Sequence, residues 1–205
     1  MSMFIAKELS EVLNTRLTIG KINIGLLNRI IIDDVLLDDQ SGKEMLKVTR
    51  LSAKFDILPF FKGKISISSV QLFGFNINLR KETPDSPPNF KFVLDAFASK
   101  DTVKKENSLD LRINSILIRR GRMSYHVLSE EETPGKFNAK HIQLQNIIAN
   151  ISLKALSKDS LNLGIKRLSL AEQESGFSLK KMSLKLVAND KQTNIDNCLL
   201  YTSDA

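Results

Sequence analysis

Few side chains in this sequence could do chemistry. Its 205 residues hold two histidines, His126 and His141, and one cysteine, Cys198. A metal site on the histidines needs a third ligand, and no cysteine or further histidine stands at ligand spacing from either. Each therefore reads as an ordinary sheet-face histidine. The densest acidic group, Asp33, Asp34, Asp38 and Asp39, brackets Val35-Leu36-Leu37. Calcium would want oxygen ligands at closer, alternating spacing around a glycine turn. Solvated strand ends fit better, and Asp38-Asp39-Gln40-Ser41-Gly42 has the composition of a hairpin turn. No serine lies in a Gly-x-Ser-x-Gly elbow, and the nine glycines are too scattered to cradle phosphate. One cysteine cannot form an internal disulfide. The expectation is no enzyme, no metal and no cofactor.

The net charge of +7 asks for a different chemistry. Arg119-Arg120-Gly121-Arg122 and Lys180-Lys181 could attract anionic headgroups or nucleic acid. Nucleic-acid modules pair such residues with stacking aromatics or a recognition helix, and neither is evident. A solvated outer sheet face is the first reading, an anionic membrane surface the second, and a nucleic-acid partner is not expected. No apolar run reaches the 18 or so residues that a spanning helix needs. Lys7, Glu8 and Glu11 interrupt the place where a secretory signal would be apolar.

The elements that must position these residues show in the apolar periodicity. Ile5, Leu9, Val12 and Leu13 fall on one face of an amphipathic helix over residues 3–14, ending near Asn14, which tolerates a left-handed cap. From Leu17 the period changes to two. With Φ for an apolar residue, the octet Φ-x-Φ-x-x-Φ-x-Φ recurs at Leu17/Ile19/Ile22/Ile24, Leu46/Val48/Leu51/Ala53, Ile65/Ile67/Val70/Leu72 and Phe137/Ala139/Ile142/Leu144. It recurs again at Leu163/Ile165/Leu168/Leu170, Phe177/Leu179/Met182/Leu184 and, with Leu117 added, Leu111/Ile113/Ile116/Ile118. That is more often than a 42% apolar composition would scatter by chance.

Because strand side chains alternate, two apolar positions, a polar pair and two more apolar positions shift the phase by one residue. Keeping all four apolar side chains on one face requires a bulge or bend at each polar pair. Those pairs are Gly20-Lys21, Thr49-Arg50, Ser68-Ser69, Asn114-Ser115, Lys140-His141, Lys166-Arg167 and Lys180-Lys181. Two short strands joined by a tight turn would also satisfy an octet. The preferred reading is a curved antiparallel sheet, a trough with one apolar wall. Between Lys81 and Ser108 the pattern lapses into a Pro-rich loop, a short helix capped by Asn89 that aligns Phe90, Val93, Leu94 and Phe97, and a charged linker.

The run from Leu17 to Asp39, with Leu51–Pro59 and Gly63–Leu72 in the same order and the interposed Phe90–Phe97 helix, resembles the N-terminal region of the AsmA-like and TamB translocation and assembly module proteins. The resemblance covers about residues 4 to 190. It implies a mostly β fold, a taco-like groove of curved antiparallel sheet. It also implies an inner-membrane anchor ahead of this chain, a periplasmic location and a role in outer-membrane biogenesis. The partners implied are phospholipid and an outer-membrane barrel assembly protein.

On that reading residues 1–16 are a juxtamembrane amphipathic helix and 17–82 a first groove segment. Residues 83–108 hold the loop, a helix over about 89–99 and the linker, and 109–190 a second groove segment. Residues 191–205 form a tail outside the pattern that need not be native sequence, so the chain reads as a fragment. The groove-lining residues expected are Ile19, Ile22, Ile24, Val48, Leu51, Ile65, Ile67, Val70, Leu72, Ile113, Ile116, Ile118, Ile142, Leu144, Leu168 and Leu184. Two functions follow: shielding acyl chains in the groove, or scaffolding barrel proteins by strand addition.

Overall fold

The structure is a computed structural model and describes residues 6–7, 10–11, 13–26, 28–55, 65–98, 109–110, 114–157, 160–189 and 191–203. Residues 6, 7, 10, 11 and 13 are helical. Asn14 takes a φ of 49°. Its N–H donates to the Glu11 carbonyl at 3.3 Å, and the Thr15 N–H donates to the Ser10 carbonyl at 3.1 Å. Two such bonds closing over a left-handed residue make a Schellman cap, so the helix stops where a left-handed asparagine was expected. Ile5, Leu9 and Val12 of the expected apolar stripe lie outside the described residues.

The period-two segments become β1 (Leu17–Gly25), β2 (Arg29–Asp38), β3 (Glu44–Phe55), β4 (Ile65–Lys81), β5 (Leu109–Asp110), β6 (Ser115–Val127), β7 (His141–Ser157), β8 (Ser160–Glu172), β9 (Ser178–Asn189) and β10 (Thr193–Thr202), with helix α1 at Lys91–Ala98. They form one open sheet in the order β1-β2-β3-β4-β6-β7-β8-β9-β10, with β5 beside β4. The fold is mostly β, as expected, but the sheet is mixed rather than antiparallel. β4 and β6 run parallel from Ser69↔Ser115 to Lys81↔Val127. Parallel neighbours need a long crossover, and the Pro-rich loop and α1 belong to it. The two segments on either side of residues 83–108 are thus one continuous sheet.

Three further expectations change. Asn89 does not cap α1, because its side chain is committed to β4. Its Oδ1 accepts the Arg80 N–H at 3.0 Å, and its Nδ2 donates to the Asn78 carbonyl at 3.0 Å. The octet at Phe137/Ala139/Ile142/Leu144 is not a strand: β7 begins only at His141, and Phe137 stands exposed in the preceding loop. The tail pairs with β9 as β10, although every residue of that strand is exposed.

Four of the seven expected bends are present, and they align. In β1–β2 the pairs Ile19↔Val35 and Lys21↔Asp33 flank Gly20 opposite Asp34, which has a φ of 56°. In β2–β3 and β3–β4 the flanking pairs set Asp34 opposite Thr49 and Thr49 opposite Gly74, whose φ is 64°. Arg120 in β6 and Asn146 in β7 are also left-handed, with φ of 55° each. The β8–β9 register shifts between Ile165 and Leu168 and between Leu168 and Leu170. Gly20-Lys21, Thr49-Arg50, Lys166-Arg167 and Lys180-Lys181 therefore lie on one crease that crosses the strands. On β4, β6 and β7 the crease falls at Phe73-Gly74, Arg119-Arg120 and Gln145-Asn146 instead of the expected pairs. Ser68 marks a separate register shift against β3, Asn114 immediately precedes β6, and Lys140 immediately precedes β7.

Candidate functional site: an apolar sheet face and a histidine–glutamate cluster

Residues from both sides of the crease meet in one apolar cluster. Buried Val48, Phe75 and Ile147 are packed by Val35, Leu46, Leu51, Leu72, Ile77, Ile118, Met123, Leu144 and Leu170. Leu46 and Leu51 lie on opposite sides of Thr49-Arg50 and still share the cluster, so the crease restores the phase that strict alternation would lose. Cross-strand pairing extends the cluster into rows. One row runs Ile22, Ile32, Leu51, Leu72, Ile118, Ala149, Leu168, Met182 and Leu200, across the whole path of strands. The next runs Ile24, Ile30, Ala53, Val70, Ile116, Ile151, Ile165 and Leu184. Beyond the crease lie Ile19-Val35-Val48-Phe75 and Leu17-Leu37-Leu46-Ile77-Met123-Leu144.

These rows hold the expected Ile19, Ile22, Ile24, Val48, Leu51, Val70, Leu72, Ile116, Ile118, Leu144, Leu168 and Leu184. Ile142 pairs with Tyr125 one step beyond the Met123–Leu144 row. Ile65 and Ile67 lie on β4, paired with Leu109 and Phe55, but their side chains are outside the described set, as is all of Ile113. Exposure varies along the face: Val48 is 3% exposed at its centre and Ile24 is 84% exposed at the β1 edge. Val35, Phe75, Ile77, Met123, Ile147 and Leu170 were missing from the expected lining. The signal for several was there, since Ile30/Ile32/Val35/Leu37 is a further copy of the same octet, and Val70/Leu72/Phe75/Ile77 and Ile142/Leu144/Ile147/Ala149 are copies that overlap those already named. The β6 copy is hidden because its third apolar position is Gly121, over which the Phe75 ring lies.

The other face is polar, and its crease is basic. Lys21, Arg50, Arg119, Arg120, Lys166, Arg167, Lys180 and Lys181 are all exposed there. Arg50 Nε donates to Asp33 Oδ1 at 2.6 Å and, by that bond above all, holds the Asp33 carboxyl below its ordinary pKa against a weaker push from burial. The Arg120 guanidinium sits 5.1 Å from the Phe73 ring centroid, a cation–π contact. Beside it, Thr49, Arg50, Gln71, Phe73, Leu117 and Arg119 line a depression of about 670 Å³.

The two histidines, unconnected in sequence, are cross-strand neighbours, His126↔His141. Their Nδ1 atoms are 3.1 Å apart. Glu132 Oε1, from the β6–β7 loop, lies 4.0 Å from His126 Nδ1 and 3.9 Å from His141 Nδ1. The third group of ligand chemistry, which the sequence did not reveal, is therefore a carboxylate brought in by the loop. Compared with protein-family models and with curated proteins, the chain finds no match.

Proposed function

We propose that this chain is a segment of an AsmA-like or TamB-like protein of outer-membrane biogenesis, and that its apolar sheet face shields phospholipid acyl chains between the two membranes. The observation that carries the proposal is the set of apolar rows on one face, kept in phase by the aligned crease. Among the described residues, close backbone approach between elements occurs only between hydrogen-bonded neighbours. Half-buried apolar rows that run across so many strands suit a binding surface better than a solvent face. Burial of Val48 to 3% at the centre of the face suits a concave sheet, with side chains of adjacent strands closing over one another. A trough lined by Ile, Leu, Val and Phe suits acyl chains, because transfer of each methylene from water contributes about 0.8 kcal/mol. Its basic reverse side suits a place near anionic headgroups.

A benzophenone amino acid at Leu51 or Leu168, on the apolar face, should capture phospholipid in cells with two membranes. The same probe at Lys47 or Lys181, on the polar face, should not, and equal capture at both would remove the proposal. The exposed β10 edge favours a second reading, strand addition to a barrel protein. That reading expects protein adducts from probes at Ile195 or Leu199 in place of lipid adducts from the rows.

A further inference from the structure

We propose that His126, His141 and Glu132 form a zinc site on the polar face, independent of the lipid-shielding reading. Three ligand atoms from separate parts of the chain converge: both Nδ1 atoms and Glu132 Oε1 lie within 4.8 Å of one another. Zn–N bonds of about 2.0–2.1 Å at a tetrahedral angle put two ligand nitrogens roughly 3.3 Å apart. The observed 3.1 Å between the Nδ1 atoms is close to that chord. The carboxylate is further out, at 3.9 and 4.0 Å, and has to move inward by roughly half an ångström to reach the same chord. It can do so, because its side chain is 68% exposed at a loop position while the His141 side chain is 8% exposed.

The orientation of His141 argues for metal rather than a chance pair. Its Nε2 lies 3.0 Å from the Glu130 carbonyl, which has only lone pairs to offer. Nε2 therefore carries a proton, and in the neutral ring Nδ1 keeps the lone pair, on the side of His126 and Glu132. A backbone carbonyl fixing the far nitrogen of an imidazole is the usual outer support of a metal-bound histidine. In the metal-free chain the His126 Nδ1–H can donate to that lone pair; to bind zinc His126 takes the Nε2–H tautomer, its Nδ1 proton leaving to solvent as Nε2 takes one up, so that both Nδ1 lone pairs face the metal. A cavity of about 20 Å³, room for about one water-sized particle, adjoins Glu132 and His141, with Asn138, Gln143 and Glu174 on its wall. It leaves a place for water as a fourth ligand. Two imidazoles and one carboxylate suit zinc better than magnesium or calcium, which prefer all-oxygen shells.

Isothermal titration of the full chain with Zn²⁺ alone tests the site, run in parallel on a Cys198→Ser variant because that thiol is free and exposed. One zinc per chain should bind in both. Affinity should fall about 100-fold or more in His126→Gln and about 10-fold in Glu132→Gln, on the scale by which even outer-shell losses weaken metal sites. Circular dichroism of each variant checks that the sheet is intact. His141 is too buried to be a safe probe, so its role is read by X-ray absorption of the zinc-loaded wild type, where a shell with two imidazoles is expected. Absence of stoichiometric binding, unchanged affinity in His126→Gln, or a zinc shell without two imidazoles would each overturn the proposal.

Discussion

Asp39 ties the β2–β3 turn to β4 and to the crossover. It is 2% exposed. Its Oδ1 accepts the backbone N–H of Ser41 at 2.9 Å and of Lys43 at 3.1 Å, which shapes the β2–β3 turn. Its Oδ2 meets the Arg80 guanidinium and the Asn89 amide, which ties that turn to β4 and the crossover. Burial alone would raise its pKa, yet the hydrogen bonds from Ser41, Asn89 and Lys43 and the charge of Arg80 outweigh it, so the net shift is downward from 3.8. A carboxyl lowered in the folded state contributes stability that is present above the unfolded value and lost as the pH falls through the folded one. Asp39→Ala strands Arg80 without its partner and should cost about 3 kcal/mol in urea denaturation at pH 7. Asp39→Asn should flatten the fall of the urea midpoint between pH 6 and pH 2, and parallel curves for wild type and variant would contradict this. The sequence revealed the turn through its Asp, Ser and Gly. It could not reveal the burial, which depends on a guanidinium 41 positions away.

At the scale of the strand, the crease depends on residues that accept a left-handed backbone or leave room for a neighbour. Gly74 combines both demands: its φ is 64°, and an added Cβ would stand 2.7 Å from Thr49 Oγ1. At Gly121 an added Cβ would stand 2.3 Å from the Phe75 ring and 3.0 Å from Ile147 Cβ. Gly121→Ala should therefore cost about 1–3 kcal/mol by overpacking. Phe75→Leu in the same chain should recover part of that loss, a coupling that a double-mutant cycle in urea would measure. Gly135→Ala is the control, since its φ is 73° with nothing within 4 Å, and only backbone strain of about 1 kcal/mol applies. Additive losses for Gly121→Ala and Phe75→Leu would refute the contact. The crease was legible where its polar pair is flanked by strictly apolar positions, as at Thr49-Arg50 and Lys166-Arg167. It was misplaced on β4 because Val70 and Leu72 belong to two overlapping octets, and periodicity cannot say which polar pair bends. Only pairing with β3 decides, by setting Gly74 opposite Thr49.

For the whole molecule, the parallel β4–β6 joint was the feature least visible in sequence. A loop and a short helix between two strand-rich stretches look the same whether they separate two segments or cross over within one sheet. Register made the difference, and it joins the apolar rows of β1–β4 to those of β6–β10 without a break. A sheet so continuous has an energetic consequence. In a two-layer domain each apolar face is covered by another element, whereas among the described elements close backbone approach is confined to sheet neighbours. The rows must then be only partly dry in the isolated chain, as half-buried Leu51, Leu72 and Leu168 are. The folded chain should bind a naphthalene sulfonate dye at neutral pH while keeping its near-ultraviolet signal, unlike a molten globule, which loses that signal as it gains dye binding. Phospholipid below its aggregation limit should displace the dye, and Leu51→Asp with Leu168→Asp should lower dye binding severalfold, since charge on the face opposes burial of the apolar ring. Dye binding that is absent from the native chain, or that resists lipid, would mean the face is closed by the protein itself.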